Sequence, residues 1–309
     1  MAEPIPPLRY LSAAELERCL PDIDARLDLA ARALRALAHG SAEMPPKIGV
    51  HPRPGALLHA MPAWLRDGDL VGLKWIAAFP DNRRRGLPAI SGLMVLNDPD
   101  TGAPTWVMDA GRITAVRTAA VSGVALRLLA PPDVQRVLLV GAGGVQGGVH
   151  REVVGALLPG AEIITAGTAD EARREAGRAG VVITMAPIGA ANHVLAPDWL
   201  ADGTLTVSID FATYASAALA RDVGTFVVDD RAQFLAYRDA GHFDGYPEPT
   251  ATLGELLDAQ AAGQPIRPTG SHRLPALVNH LGVGLADVMF ADAIRRRAEE
   301  MGAGQVLER

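Results

Sequence analysis

The spacing of apolar residues changes character near Pro131-Pro132. Upstream, Ile23, Leu27, Ala30, Leu34 and Leu37 recur at helical intervals and predict a helix from Asp22 to about Ala38, stopped by Gly40. A shorter helix precedes it, opened by the capping box Ser12-Ala-Ala-Glu15 and closed at Pro21. The charges Asp22, Asp24, Arg26 and Asp28 then read as a solvated face. Strand-like pieces follow at Lys47 to Val50 and Ala56 to Met61, parted by Pro52, Pro54 and Gly55. Three stronger strands come next, Leu70 to Phe79, Ile90 to Asn97 and Pro104 to Ala110. The turn chemistry of Asp98-Pro-Asp-Thr-Gly102 makes the last two a hairpin within an antiparallel meander. Thr114 to Ala130 is expected to be a helix that the two prolines end.

Downstream, strand and helix alternate. Arg136 to Val140, Ala161 to Thr165, Val181 to Met185, Thr204 to Ile209 and Thr225 to Val228 are mostly short unbroken apolar runs, the kind buried on both faces of a parallel sheet. A doubly wound α/β architecture is expected here. A short helix over Leu253 to Ala261 and an amphipathic one from about Leu285 to Met301 close the chain, the last assigned to the first domain. The domains are therefore 1–115 with 285–309, and 116–284.

The most informative stretch is RVLLVGAGGVQGGVH, residues 136 to 150. Its apolar strand ends in Gly141-Ala142-Gly143-Gly144 and passes into helical spacing at Val145, Val149 and Val153. Glycines let such a turn take conformations closed to other residues and let a diphosphate approach bare N–H groups at a helix start. Gly141 and Gly143 hold the first two positions of the dinucleotide fingerprint. Gln146 holds the third, and the glycine comes one residue late, at Gly147. An ordinary glycine-rich turn without a nucleotide is the competing interpretation.

Composition narrows the partners. With 309 residues, a net charge of −6 and no basic run, the chain offers no face for nucleic acid and no polybasic membrane anchor. No apolar run approaches membrane-helix length and no signal pattern opens the chain, so a cytoplasmic location is expected. The single cysteine, Cys19, reads as a buried structural thiol, and the eight histidines show no ligand spacing, so no metal site is expected.

Three charged residues sit where charge is costly. Lys74 interrupts a strand between Leu73 and Trp75, and Arg117 opens an otherwise apolar helix. A bound carboxylate or an internal acid would satisfy them equally well. Asp210 ends a strand at the carboxyl edge where α/β sheets bind ligands, fitting either proton transfer or helix capping. His150 and His193 are further candidates to approach a cofactor.

The stretches VGLKWIAAFPDN, LPAISGLMVLNDPDTGAPTWVMDAGRITAVRTAAVSGVALRLLA, VLLVGAGGVQGGVH and VNHLGVGLADVMFADAIRRRAEEMGAG resemble the ornithine cyclodeaminase and mu-crystallin family, collinearly from about residue 45 to 304. The resemblance implies a Rossmann-type domain binding NAD or NADP and a second α+β domain whose antiparallel sheet pairs subunits into a homodimer. It places the active site in the cleft between the domains. The implied chemistry is hydride exchange at the α-carbon of a small amino acid or cyclic imine. By the same resemblance Lys74 is the active-site lysine, Arg117 and Lys47 grip the substrate carboxylate, and Asp210 is the acid that exchanges protons. Thr118, Gly141, Gly143, Gly144, Val145, Gln146 and Thr168 fall at cofactor-binding positions.

The chain also departs from the family pattern. Lys47 stands where an arginine is common, and SIDFATYASAAL lacks the Gly-Lys-x-Glu-Leu continuation after the acid. The second strand ends ITAGT, with no acid for a ribose hydroxyl, which brings NADP into consideration with Arg173 or Arg174 near a 2′-phosphate. Imine reduction, amino-acid dehydrogenation, ornithine cyclodeamination and cofactor-dependent binding without turnover, as in mu-crystallin, all remain open at this point.

Overall fold

Glycine and Asx turns fold the first third of the chain into a meander. The computed structural model describes residues 6–187, 195–266 and 273–308. Contacts divide the chain into two units, Met1–Arg117 with Val283–Arg309, and Thr118–Gly282.

The first unit opens with β1 (Leu8–Leu11), α1 (Ala13–Arg18) and α2 (Ile23–Ala38). Ser12 and Glu15 cap α1 reciprocally, and the Asp22 carboxylate accepts the Ala25 N–H at the start of α2. The buried face of α2 includes Leu27, Ala30 and Leu34, but also Arg26, whose Nε donates to the Pro21 carbonyl at 2.7 Å. Arg26 is thus not on the solvated face with Asp22, Asp24 and Asp28, because the turn before the helix offers it a carbonyl. Then come β2 (Ala42–Glu43), β3 (Ile48–Arg53), β4 (Ala56–Leu65), β5 (Leu70–Ala78), β6 (Ile90–Asn97) and β7 (Pro104–Asp109). β3 through β7 pair antiparallel in succession. Asp98 accepts from Thr101 N at 2.8 Å in the last turn, and Gly102 takes φ +70. Helix α3 (Ala110–Leu129) begins earlier than position 114, because the Asp109 carboxylate takes the N–H groups of Gly111 and Arg112.

The second unit carries β8 (Arg136–Val140), α4 (Val145–Leu157), β9 (Glu162–Ala166), α5 (Ala169–Ala176), β10 (Val181–Thr184), β11 (Leu205–Ser208), α6 (Ala217–Asp222), β12 (Thr225–Val228), α7 (Arg231–Asp239), β13 (Ala251–Thr252), α8 (Leu253–Ala261) and β14 (Ala276–Asn279). They form a parallel sheet in the order β13-β12-β14-β11-β10-β8-β9. The chain leaves β8 for β9 on one side and crosses to β10 on the other, so ligands are expected at the carboxyl ends of β8 and β10. β13 and β14 lie outside the strands expected from the sequence. β14, wholly buried, inserts between β11 and β12.

The chain then completes the first unit with α9 (Gly284–Glu300) and β15 (Gln305–Leu307). β15 pairs antiparallel with β1, and β1 pairs parallel with β7, which makes this sheet mixed rather than purely antiparallel. One face of the meander packs Met94, Met108 and Met61 inward. On the other, Ile48, Trp75 and Leu93 are exposed, Trp75 and Leu93 facing each other in register.

Candidate functional site

Lys74 lies midway along β5, opposite Met61 and Met94, with its side chain only 1% exposed. An ammonium so placed must find a partner. α9 supplies it: Asp287, in its first turn, accepts from Lys74 Nζ at 2.6 Å through one oxygen and from Arg117 Nε at 2.9 Å through the other. Two glycines permit the approach. A Cβ on Gly284 would sit 3.1 Å from the Met61 carbonyl oxygen, and one on Gly72 would sit 2.7 Å from that of Val95 and 3.2 Å from a Val288 methyl. Without those side chains α9 lies close against β4 and β5, which carries Asp287 to Lys74.

The internal ion pair allowed by the sequence is therefore present, and it is unbalanced. One fully buried carboxylate serves two buried cations, and Arg117 Nη1 has no hydrogen-bond partner. Burial and the Arg117 guanidinium outweigh Asp287 and bring the Lys74 ammonium down to about 7. Lys47, half-buried just before β3, adds a further positive field on Lys74. A small external carboxylate would complete such a cluster, since it restores charge balance and accepts from the open guanidinium nitrogen.

In the second unit the turn after β8 is built by its glycines. Gly141 takes φ +77, and a Cβ there would lie 2.8 Å from the Ala186 backbone. At Gly143 a Cβ would meet nothing within 4 Å, so open space fronts the loop. Gly144 caps α4 with no side-chain bond, Val145 is exposed, and Gln146 Oε1 is buried without a partner. At Gly147 a Cβ would fall 1.9 Å from the Ala142 carbonyl oxygen. The third glycine's work, close packing of helix on turn, thus belongs to Gly147, and the fingerprint is shifted by one residue rather than broken. The GG pair in the sequence was the signal. The open space at Gly143 and a helix start with no side-chain cap fit a diphosphate, which needs N–H donors; the Gln146 side-chain oxygen, an acceptor, takes no part in that fit.

His150 is spoken for. Its Nδ1 lies 2.8 Å from the Gln146 carbonyl and must donate, which leaves Nε2 to accept the Ser122 hydroxyl at 3.0 Å. Ser122 Oγ in turn lies 2.9 Å from His280 Nε2, which donates to it. Burial lowers His150 to about 4 and keeps it neutral. His150 braces the glycine loop from behind; His193 falls outside the described residues. Thr118 is buried on α3, directly after Arg117. Thr168 caps α5, its hydroxyl accepting the Glu171 N–H at 3.3 Å.

Asp210, just beyond β11, is 1% exposed and well supplied with donors. Its Oδ1 accepts from the hydroxyls of Thr184 at 2.8 Å and Ser208 at 2.9 Å, and its Oδ2 accepts the Ala186 N–H at 2.9 Å. Burial nevertheless pushes its carboxyl up to about 6. The next residue, Phe211, holds a left-handed φ of +58, with its carbonyl fixed by Asn279 Nδ2 at 2.9 Å. Neither Asp287 nor this strained turn was visible in the sequence. The only hint of the former was an acid inside the apolar run GLADVMFA. Among the described residues no cluster of His, Cys, Asp and Glu could hold a metal, and no helix is long and apolar enough to cross a membrane.

The model of the ornithine cyclodeaminase/mu-crystallin family matches residues 12–176, more than half of the chain. The chain belongs to that family. Nodulation efficiency protein NfeD of Rhizobium meliloti is 34% identical over 98% of this chain and 99% of its own length. Shorter similarities reach alanine dehydrogenase of Archaeoglobus fulgidus, 38% identical over 43% of this chain and 40% of that protein. Another reaches Δ1-pyrroline-2-carboxylate reductase of Paracoccus denitrificans, 36% identical over 36% of this chain and 35% of that one. Among solved structures, the Thermococcus litoralis Δ1-pyrroline-2-carboxylate reductase bound to NADH and L-proline superposes with a TM-score of 0.79 at 24% identity, covering 97% of this chain and all of that one. An archaeal alanine dehydrogenase dimer with bound NAD gives 0.81, also at 24% identity, over 97% of this chain and 99% of that one. These structural likenesses establish a shared fold.

Proposed function

We propose that this family member is a nicotinamide-dinucleotide-dependent oxidoreductase acting at the Cα–N bond of a small amino acid or cyclic imino acid. The observation that carries the proposal is the cation surplus around Asp287: two buried cations, one buried carboxylate and an open guanidinium nitrogen. The relatives' names agree with it, because alanine and pyrroline-2-carboxylate each carry a carboxylate beside a carbon–nitrogen bond.

In this scheme Arg117 and Lys74, with Lys47 in support, bind and orient the substrate carboxylate. Lys74, poised near neutrality, holds or releases a proton at the substrate nitrogen, and Asp210, with its raised affinity for protons, exchanges them with the substrate. Gly141, Gly143, Gly144, Val145 and Gln146 hold the dinucleotide's diphosphate, with Thr118 on its phosphate side and Thr168 toward its adenine end. When bound, the nicotinamide ring supplies or takes the hydride at Cα. The reaction draws on the nicotinamide pool and suits the cytoplasm. A second copy of the chain is proposed to cover the exposed Ile48, Trp75 and Leu93 face, making a homodimer that Trp75→Glu would convert to monomer in light scattering.

The test is to saturate the protein with NADH or NADPH and add cyclic imino acids, or with NAD or NADP and add amino acids, following nicotinamide absorbance. Substrate-dependent change in either direction supports the oxidoreductase. Ammonia released from ornithine without net change in absorbance would identify cyclodeamination instead, and tight dinucleotide binding with no turnover on any of these would identify a binding protein.

A further inference from the structure

The edge of the dinucleotide-binding sheet carries a charge that the glycine loop does not account for. β9 is the edge strand beside β8, and the Gly141 N–H donates to the Ala166 carbonyl at 2.8 Å, so the residues after β9 adjoin the glycine turn. No acid stands at the end of β9. One arrives from the helix: the Glu171 carboxylate reaches back so that its Oε2 accepts the N–H of Gly167 at 2.7 Å and of Thr168 at 3.1 Å.

We propose that Glu171 takes the place of the missing strand-end acid and makes this protein selective for NAD(H) over NADP(H). This rests on the dinucleotide-dependent reading above. In sheets of this type the end of the second strand faces the adenine ribose, whose 2′ position is a hydroxyl in NAD and a phosphate in NADP. Exposed backbone amides after that strand are natural donors to a phosphate, and here the carboxylate already fills them. Only Oε2 is used in those bonds, so Oε1 can accept a ribose hydroxyl. A 2′-phosphate would instead meet a like charge with no amide to receive it. The bonds to Gly167 and Thr168 also hold the Glu171 carboxyl below the usual carboxylate range, so the charge persists at neutral pH.

The nearby arginines do not reverse this. Arg173 is turned onto the ring of Trp199, its guanidinium carbon 5.2 Å from the centroid, and Arg174 lends its field to Glu171 itself. The sequence pattern that admitted NADP, ITAGT with arginines following, is offset by an acid placed five residues beyond Ala166 in the chain.

The experiment is to titrate the purified protein with NADH and NADPH by nicotinamide fluorescence, and to repeat both titrations with Glu171→Gln. Glutamine keeps an oxygen for the cap but removes the charge, so the helix start is retained, and thermal unfolding of the variant verifies this. NADH is expected to bind about tenfold or more tighter than NADPH, and the variant to close that gap by about tenfold, chiefly by tightening NADPH. Equal affinities in the parent protein, a preference for NADPH, or a gap that Glu171→Gln leaves unchanged would each overturn the assignment while leaving the dinucleotide reading intact. Failure of both nucleotides to bind would overturn that reading, and this inference with it.

Discussion

Two buried acids in this protein have opposite surroundings. Asp210 is met by two hydroxyls and a backbone N–H, all neutral donors within its own unit. Asp287 is met by two cations, both buried, one of them with a nitrogen to spare. The first arrangement satisfies hydrogen bonds but leaves a charge uncompensated, and its carboxyl holds protons more tightly as a result. The second overcompensates a charge and leaves buried cationic charge in excess of its internal counterion. Burial by itself therefore says little about ligand binding; the balance of charge left after the internal partners are paired says more.

The sharpest break in this contrast is Asp287→Ala. It strands two buried cations together and should cost about 3–5 kcal/mol of unfolding free energy, read from urea denaturation. A loss near zero would mean the cations find solvent or other partners, and the surplus would be illusory. Next in size, a carboxylate substrate or product at about a hundred times its Kd should stabilise the dinucleotide-loaded protein by about 2.7 kcal/mol, where the corresponding carboxamide should not. Thermal shift with the matched pair measures this.

Asp210→Asn should be milder, about 1–3 kcal/mol, because the new amide group sets donor against donor at one oxygen position while no charge is stranded. The smallest effect is a slope. Asp210 has a folded pKa of about 6 against an ordinary value of 3.8, so the folded state binds the proton more tightly. Its contribution to stability is present in full below about pH 4 and is lost as pH rises through about 6. Unfolding free energy measured across that window should fall less steeply in Asp210→Asn than in the parent; identical slopes would place the titration elsewhere.

Much of the framework was legible in the sequence because it is local. Ser12 caps its helix as the spacing to Glu15 indicates, and the three stronger strands of the meander fall within a residue of their expected bounds. The glycine loop was legible in kind but not in register, since the clash that fixes Gly147, against the Ala142 carbonyl, depends on how the extra residue Gly144 is absorbed. β14 was missed because four apolar residues carry no period, and its place between β11 and β12 is decided by sheet order rather than local preference. Asp287 was missed for a deeper reason. Lys74 and Arg117 announce themselves as charges in apolar surroundings, but their partner lies 213 and 170 residues away, and nothing in the chain between encodes the pairing. Lys47 was brought into the picture by the family resemblance alone, and the structure shows its field on Lys74.

The central claim is that the surplus cations at Asp287 bind the substrate carboxylate. Its most direct test is Arg117→Ala, assayed for nicotinamide binding by fluorescence and for turnover of the best substrate from the panel. The expected result is dinucleotide affinity within about twofold of the parent and kcat/KM reduced by about a hundredfold or more, the scale of losing a buried charged contact. Turnover that survives the substitution unchanged would contradict the claim.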